Sequence, residues 1–230
     1  MKDFTQFEKQ TNVIFKNPAL LQQAFTHRSY LNEHPAQTIA HNERLEFLGD
    51  AVLELVVTAY LFERFRDKQE GELTVFRAAL VNTMTISEVA LGLGFNELLF
   101  LSRGEAKDVG KARQYILANT YEAVIGAIFL DQSYAVAAQF IEKTLLPRLD
   151  DILEKGLWHD AKSRVQEKAQ EVLSVTPAYK VLEESGPDHD KHFTVGVFLG
   201  DEQAGSGRGK SKQEAEQDAA KDALQNNRWT

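Results

Sequence analysis

The apolar residues of this 230-residue chain hold a helical period through most of its length and alternate only near its end, and that contrast limits what it can fold into. From Phe4 to about Leu153 they recur at helical spacing, as in Leu20, Leu21, Ala24 and Phe25 and again in Val75, Ala78, Ala79 and Val81. The pattern changes after Glu154-Lys155-Gly156-Leu157-Trp158-His159: following one more helical segment the period becomes two, where Tyr179, Val181 and Glu183 oppose Lys180, Leu182 and Glu184, and Phe193, Val195, Val197 and Leu199 alternate with Thr194, Gly196, Phe198 and Gly200. A helix capped by Asp160, with Val165, Ala169, Val172 and Leu173 on one face, is expected before these strands. A third strand near Glu202 to Ser206 leads through Gly207-Arg208-Gly209 into a helix carrying Ala215, Ala219, Ala220, Ala223 and Leu224. The expectation is an all-α helical domain over residues 1–153, a linker over 154–159, and a small α+β domain of order α-β-β-β-α over 160–228.

Local signals subdivide the helical part. Asn17-Pro18 opens one helix, His34-Pro35 marks a loop, Glu70-Gly71 opens another helix and Gly92-Leu93-Gly94 closes one. A polar loop from Ser102 to Gly110 precedes a very apolar helix, Tyr115 to Leu130. No apolar run approaches the roughly 18 residues of a membrane span, and the amino terminus lacks the basic start and apolar core of a signal peptide, so a cytoplasmic protein with no membrane partner is expected. The absence of cysteine excludes disulfides, thiolate metal sites and a thiol nucleophile, which leaves oxygen or imidazole as metal ligands. The net charge of -8 speaks against a polyanionic partner only in sum, so nucleic-acid binding has to be argued from particular residues.

Two stretches set polar groups into apolar helical runs. After Asn42, a residue suited to capping a helix, Glu43, Glu46 and Asp50 fall at i, i+3 and i+7 and share one face. Leu45, Phe47, Leu48, Ala51, Val52 and Leu53 fill the other faces, so the helix is expected to be buried nearly all round, with its acidic face meeting a cleft or a partner helix. Asn119 and Glu122, at i and i+3 amid Ile116, Leu117, Ala118, Ala123, Val124 and Ile125, are the natural partners. Carboxylates converging in an apolar bundle repel one another unless a hard divalent cation lies between them, and oxygen ligands point to Mg²⁺, with Mn²⁺ as a substitute. Mg²⁺ is usually completed by substrate phosphate, which suits a phosphodiester, and two such ions about 4 Å apart would activate water and stabilise the departing oxygen. Any one of these acids reads equally as an exposed helix position, but the set leaves no broad polar face for that. Glu70 is either a further contributor or a first-turn acid favouring the helix dipole, and His27 and His41 read as satisfied structural histidines.

In the second domain Lys210 and Lys212 are expected at the positive end of the last helix beside free backbone N–H groups, which makes a phosphate site. Gln166, Glu167 and the loop Gly186-Pro187-Asp188-His189 are placed to reach 2′-hydroxyls in the wide minor groove of an A-form duplex. Residues 204–211 also match a loose nucleotide-binding loop, but such a loop belongs after the first strand of a parallel sheet, and too little chain follows here. No nucleotide cofactor is expected.

At these residues the chain resembles a known family. The run Asn42-Glu43-Arg44-Leu45-Glu46-Phe47-Leu48-Gly49-Asp50 is similar to the signature of bacterial ribonuclease III, and Lys210-Ser211-Lys212-Gln213-Glu214-Ala215-Glu216-Gln217-Asp218-Ala219-Ala220 resembles the terminal helix of a double-stranded-RNA-binding domain. Phe25-Thr26-His27-Arg28-Ser29-Tyr30 and Gly71-Glu72-Leu73-Thr74 fit as well. The resemblance implies an Mg²⁺-dependent endonuclease that is a homodimer through its helical domain. It would cut duplex RNA to products with 5′-phosphates and short 3′ overhangs, and process ribosomal RNA precursors and some messenger and transfer RNAs. By position it implies Glu46, Asn119 and Glu122 as metal ligands, Asp50 and Glu122 as essential to catalysis, and Glu43 and Glu70 as accessory acids. Gln166, Glu167, His189, Lys210 and Lys212 would contact RNA. Asn119 stands where many members carry an aspartate, which predicts weaker metal affinity, and Gln213 stands where a lysine is common. The departure at Asn119 defines the alternative, a duplex-RNA-binding protein with reduced or lost cleavage.

Overall fold

The computed structural model describes residues 2–154, 161–187 and 191–229, and backbone contacts divide the chain into two compact units, Met1–Trp158 and His159–Thr230. The first unit is helical: α1 (Thr5–Thr11), α2 (Pro18–Ala24), α3 (Arg28–Glu33), α4 (Glu43–Arg64), α5 (Glu70–Leu80), α6 (Thr83–Gly92), α7 (Phe95–Leu98), α8 (Lys111–Asp131), α9 (Tyr134–Thr144) and α10 (Arg148–Glu154). The second has α11 (Ala161–Leu173), β1 (Ala178–Ser185), β2 (His192–Leu199), β3 (Glu202–Gly209) and α12 (Lys212–Asn226). This is the expected all-helical part followed by an α-β-β-β-α part. Among the described residues no helix is long and apolar enough to cross a membrane.

The first unit is built around α8, which buries residues on every side from Ile116 to Ile128. Phe7, Phe25, Phe95, Tyr121 and Phe140 meet edge-on or tilted around it, with ring centroids 4.8–6.4 Å apart. Each such ring contributes on the order of 2 kcal/mol by leaving water. Buried Arg113, at the start of α8, donates to the Glu105 and Asp108 carbonyls and to Asn96 Oδ1, latching the preceding loop to the helix. That helix begins at Lys111, ahead of the predicted Tyr115.

The pairing of α4 with α8 depends on two glycines. A Cβ on Gly49 would lie 1.7 Å from the Glu122 carbonyl oxygen, and one on Gly126 would lie 2.2 Å from that of Leu45, so the backbones touch where any side chain would separate them. Residues Leu45, Val52, Leu53, Val56, Val57 and Leu61 continue this buried stripe of α4. The opposite face is open: Phe47 is 82% exposed, and Ala51, Leu55 and Phe62 are exposed with it. The nearly all-round burial expected of α4 therefore fails in a single chain, whereas α8 is enclosed along most of its length. Asn42 also departs from expectation. It precedes α4, but its side chain makes no cap; its Nδ2 donates to the Ala24 carbonyl and its N–H to the Thr26 carbonyl. The α2–α3 connection crosses the start of α4, and its buried carbonyls take the donors that a cap would have left to solvent.

In the second unit the sheet is antiparallel in the order β1-β2-β3. Val195 and Val197 of β2 join Ala161, Val165, Ala215, Ala219, Ala220 and Ala223 in its own core. β3 runs to Gly209, longer than expected, because Gly205, Gly207 and Gly209 alternate toward α12: added Cβ atoms would lie 2.0–2.6 Å from the backbone nitrogens of Ala223, Ala219 and Ala215. The nucleotide-binding-loop reading of residues 204–211, already disfavoured by its sequence context, has no support in the structure either. These glycines belong to an antiparallel strand and admit a helix, leaving no loop to surround a phosphate. The proposed cap Asp160 lies outside the described residues.

Candidate active site

The glycine contact brings the two polar stretches together. Glu46 and Asp50 on α4 face Asn119 and Glu122 on α8, and the Asn119 side chain donates a hydrogen bond to the Glu46 carboxylate. Burial pushes the Glu122 carboxyl up to about 8, and the negative charges of Asp50, Glu46 and Glu54 add to that. Glu46 is also raised, first by burial and then by Glu43, with Asn119 opposing and Asp50 reinforcing the shift. The sequence reading missed Glu54. It continues the row Glu46, Asp50, Glu54 at intervals of one helical turn, a spacing that was visible, and it is held by Arg77 Nε at 3.0 Å.

The remaining predicted acids lie at the margin or apart. Glu43 is exposed and pairs with Arg28 at 3.3 Å, close enough to Glu46 to act on its charge. Glu70 starts α5, accepts a hydrogen bond from Thr74, and is not among the charges that shift Glu46 or Glu122. His27 is satisfied, its Nδ1 capping α3 through the Ser29 N–H. His41 is not: its Nδ1 is buried without a hydrogen bond, 3.7 Å from a Glu43 oxygen, which corrects the expectation that both histidines are satisfied.

The donor set suits a hard cation. It is all oxygen, and the upward shifts of Glu46 and Glu122 mark carboxylates short of positive charge. Among the described residues no three acidic or imidazole side chains already converge on one point.

In the second unit Gln166 and Glu167 are exposed on α11, and Lys210 and Lys212 flank the start of α12. The end of that helix is more occupied than expected. Ser211 Oγ accepts from the Glu214 N–H, Glu214 Oε2 accepts from the Lys210 N–H, and Lys212 Nζ lies 3.3 Å from Glu184. His189 lies outside the described residues.

A family model described as Ribonuclease-III-like matches residues 17–149, more than half of the chain. The chain belongs to the ribonuclease III family. A second model, the double-stranded RNA binding motif, matches residues 161–227 of this ribonuclease III chain. Ribonuclease 3 of Anoxybacillus flavithermus is 48% identical over 223 residues, covering 96% of this chain and 92% of the relative. That of Geobacillus kaustophilus is 46% identical over 224 residues, covering 96% and 90%. The crystal structure of the nuclease domain of Campylobacter jejuni ribonuclease III is 37% identical, with a TM-score of 0.58, and covers 64% of this chain and 97% of that one.

Proposed function

We propose that this ribonuclease III is an endonuclease that cuts both strands of duplex RNA with Mg²⁺, or Mn²⁺ in its place. Residues 1–153 would be the nuclease domain, 154–159 the linker and 160–228 the RNA-binding domain. The reading rests on the group Glu46, Asp50, Asn119 and Glu122, in which the half-buried Glu46 and Glu122 crowd their carboxylates against Asp50, carried on the same chain as a double-stranded RNA binding motif. A protein that only bound RNA would gain nothing from holding these carboxylates close together and mutually repelling. Ribosomal RNA precursors, with some messenger and transfer RNAs, are the proposed substrates.

Glu46, Asn119 and Glu122 are the proposed metal ligands, and Asp50 the further catalytic acid. The bound cation supplies Lewis acidity at the scissile phosphate and the positive charge that the carboxylates lack. Asn119 orients Glu46 through its hydrogen bond. Glu122, protonated at neutral pH while its neighbours are uncompensated, gives up that proton when the site is loaded. Glu43 and Glu70 are accessory acids in this reading, and Gln166, Glu167, His189, Lys210 and Lys212 hold the duplex by its backbone and 2′-hydroxyls.

A homodimer through the helical unit is part of the proposal. The exposed apolar face of α4, with Phe47, Leu55 and Phe62, adjoins a cavity of about 370 Å³ lined by Thr58, Leu61, Phe62 and Leu73. An isologous pairing would remove this face from water. The related Campylobacter nuclease domain is described as having a region involved in dimer formation. The test is cleavage of labelled RNA duplex, single-stranded RNA and duplex DNA with Mg²⁺. Duplex RNA alone should be cut, and Glu122→Gln should abolish cutting; equal cutting of all three would refute the proposal.

A further inference from the structure

Glu184 of β1 stands between two lysines: Lys212 Nζ lies 3.3 Å from one of its oxygens and Lys191 Nζ 3.5 Å from the other. Local backbone geometry delivers it there. Val181 pairs with Val195, but after an irregularity in β1 Glu183 pairs with Thr194 and Glu184 with Phe193. In an unbroken register, with Leu182 paired to Thr194, Glu183 would have faced Phe193, and Glu184 would have pointed to the other side of the sheet. The Lys212 ammonium also lies over the Phe193 ring, 5.6 Å from its centroid, so lysine, ring and carboxylate form one exposed group at the start of α12. Both lysines hold the Glu184 carboxyl below the usual carboxylate range, Lys212 foremost.

We infer that Glu184 is an internal substitute for an RNA phosphate, which occupies Lys212 and Lys191 in the free protein and must be displaced when the duplex binds. The inference rests on the reading that this face of the second unit grips duplex RNA. It adds a residue that lowers affinity by competition, where Lys212 was otherwise read as a free phosphate ligand. The group is exposed, with side chains 40–57% accessible, so the competition is modest and an incoming phosphate can win it. A carboxylate released on binding takes up a cation from solution, which offsets part of the counterion release that drives association. Glu184 therefore flattens the salt dependence as well as weakening the complex.

The test is duplex RNA binding by the full-length protein in EDTA, which suppresses cleavage, over a series of KCl concentrations. Glu184→Gln is compared with wild type, with Lys212→Gln, and with a Lys191→Gln/Lys212→Gln background that does or does not carry Glu184→Gln. Thermal melts confirm that each variant is folded. Glu184→Gln should bind about 3-fold more tightly and with a steeper salt dependence, and the gain should vanish in the double-lysine background. Unchanged or weaker binding by Glu184→Gln overturns the inference, the latter because the carboxylate would then be orienting Lys212 rather than competing for it. An equal gain in both backgrounds also overturns it, since the effect would then be long-range charge alone. If wild type fails to bind duplex, or Lys212→Gln binds as wild type does, the reading of this face as the RNA grip fails and the inference falls with it; that failure appears in variants that retain Glu184.

Discussion

At the residue scale the decisive group is Glu122, whose carboxyl is held at about 8 by burial and by Asp50, Glu46 and Glu54. The folded chain keeps this proton up to about pH 8, whereas the unfolded chain releases it near the ordinary glutamate value of 4.5. The folded state therefore binds more protons across that window, and its stability falls as pH rises through it. Melting in EDTA should show wild type losing stability between about pH 5 and 8 relative to Glu122→Gln, which mimics the protonated carboxyl, and excess Mg²⁺ should remove most of the difference. A parallel pH profile for the two proteins would contradict the assignment. Asn119 gives the complementary prediction. Replacing its amide by a carboxylate removes the donor to Glu46 and adds charge to the cluster, so Asn119→Asp should melt lower in EDTA yet reach half-maximal cleavage at several-fold lower Mg²⁺. An unchanged Mg²⁺ requirement would place Asn119 outside the metal shell.

Between elements, contact depends on the absence of side chains. Gly49→Ala drives a methyl into the backbone of α8, and since neither helix can yield without repacking the core, the expected loss is about 3 kcal/mol or more, with cleavage lost as Glu46 and Glu122 separate. Gly92→Ala is the control: nothing lies within 4 Å of its added Cβ, and the change should be neutral or stabilising by roughly 0.5–1 kcal/mol. Urea denaturation of the two variants checks both. Equal behaviour would mean that α4 and α8 do not meet as closely as described. The same logic applies to Gly207, whose Cβ would meet the Ala219 nitrogen at 2.0 Å, and it explains why α12 faces the sheet with alanines.

For the whole molecule, two separate cores imply two folding units, each with its own buried cluster. The first carries an exposed apolar stripe on its longest helix, with Phe47, Leu55 and Phe62 open to solvent. Phe47→Asp places a charge at the most exposed aromatic position of that stripe. If the proposed homodimer forms through this stripe, wild type should sediment as a dimer and the variant as a monomer at the same concentration, while each unit remains folded by circular dichroism. An unchanged sedimentation coefficient would move the dimer contact elsewhere.

Much of this was legible along the chain, because hydrophobic period reports the local state of the backbone directly. The switch from helical spacing to alternation after Leu173, the helix starts at Pro18 and Glu70, and the shared face of Glu46 and Asp50 all follow from repeats fixed within one element. What depended on neighbours distant in sequence was not legible. The period could not reveal that α8 is enclosed while α4 leaves Phe47 open, because both helices are equally apolar in sequence and only packing separates them. Asn42 turned from a cap into a tie because α2 ends beside it, and residues 204–209 became part of a strand because α12 lies against their glycines. Sequence by itself determined the elements, their order and the carboxylates on them; tertiary structure decided which of those groups meet, since contact is a property of how helices cross and strands register, and spacing along one chain does not encode it.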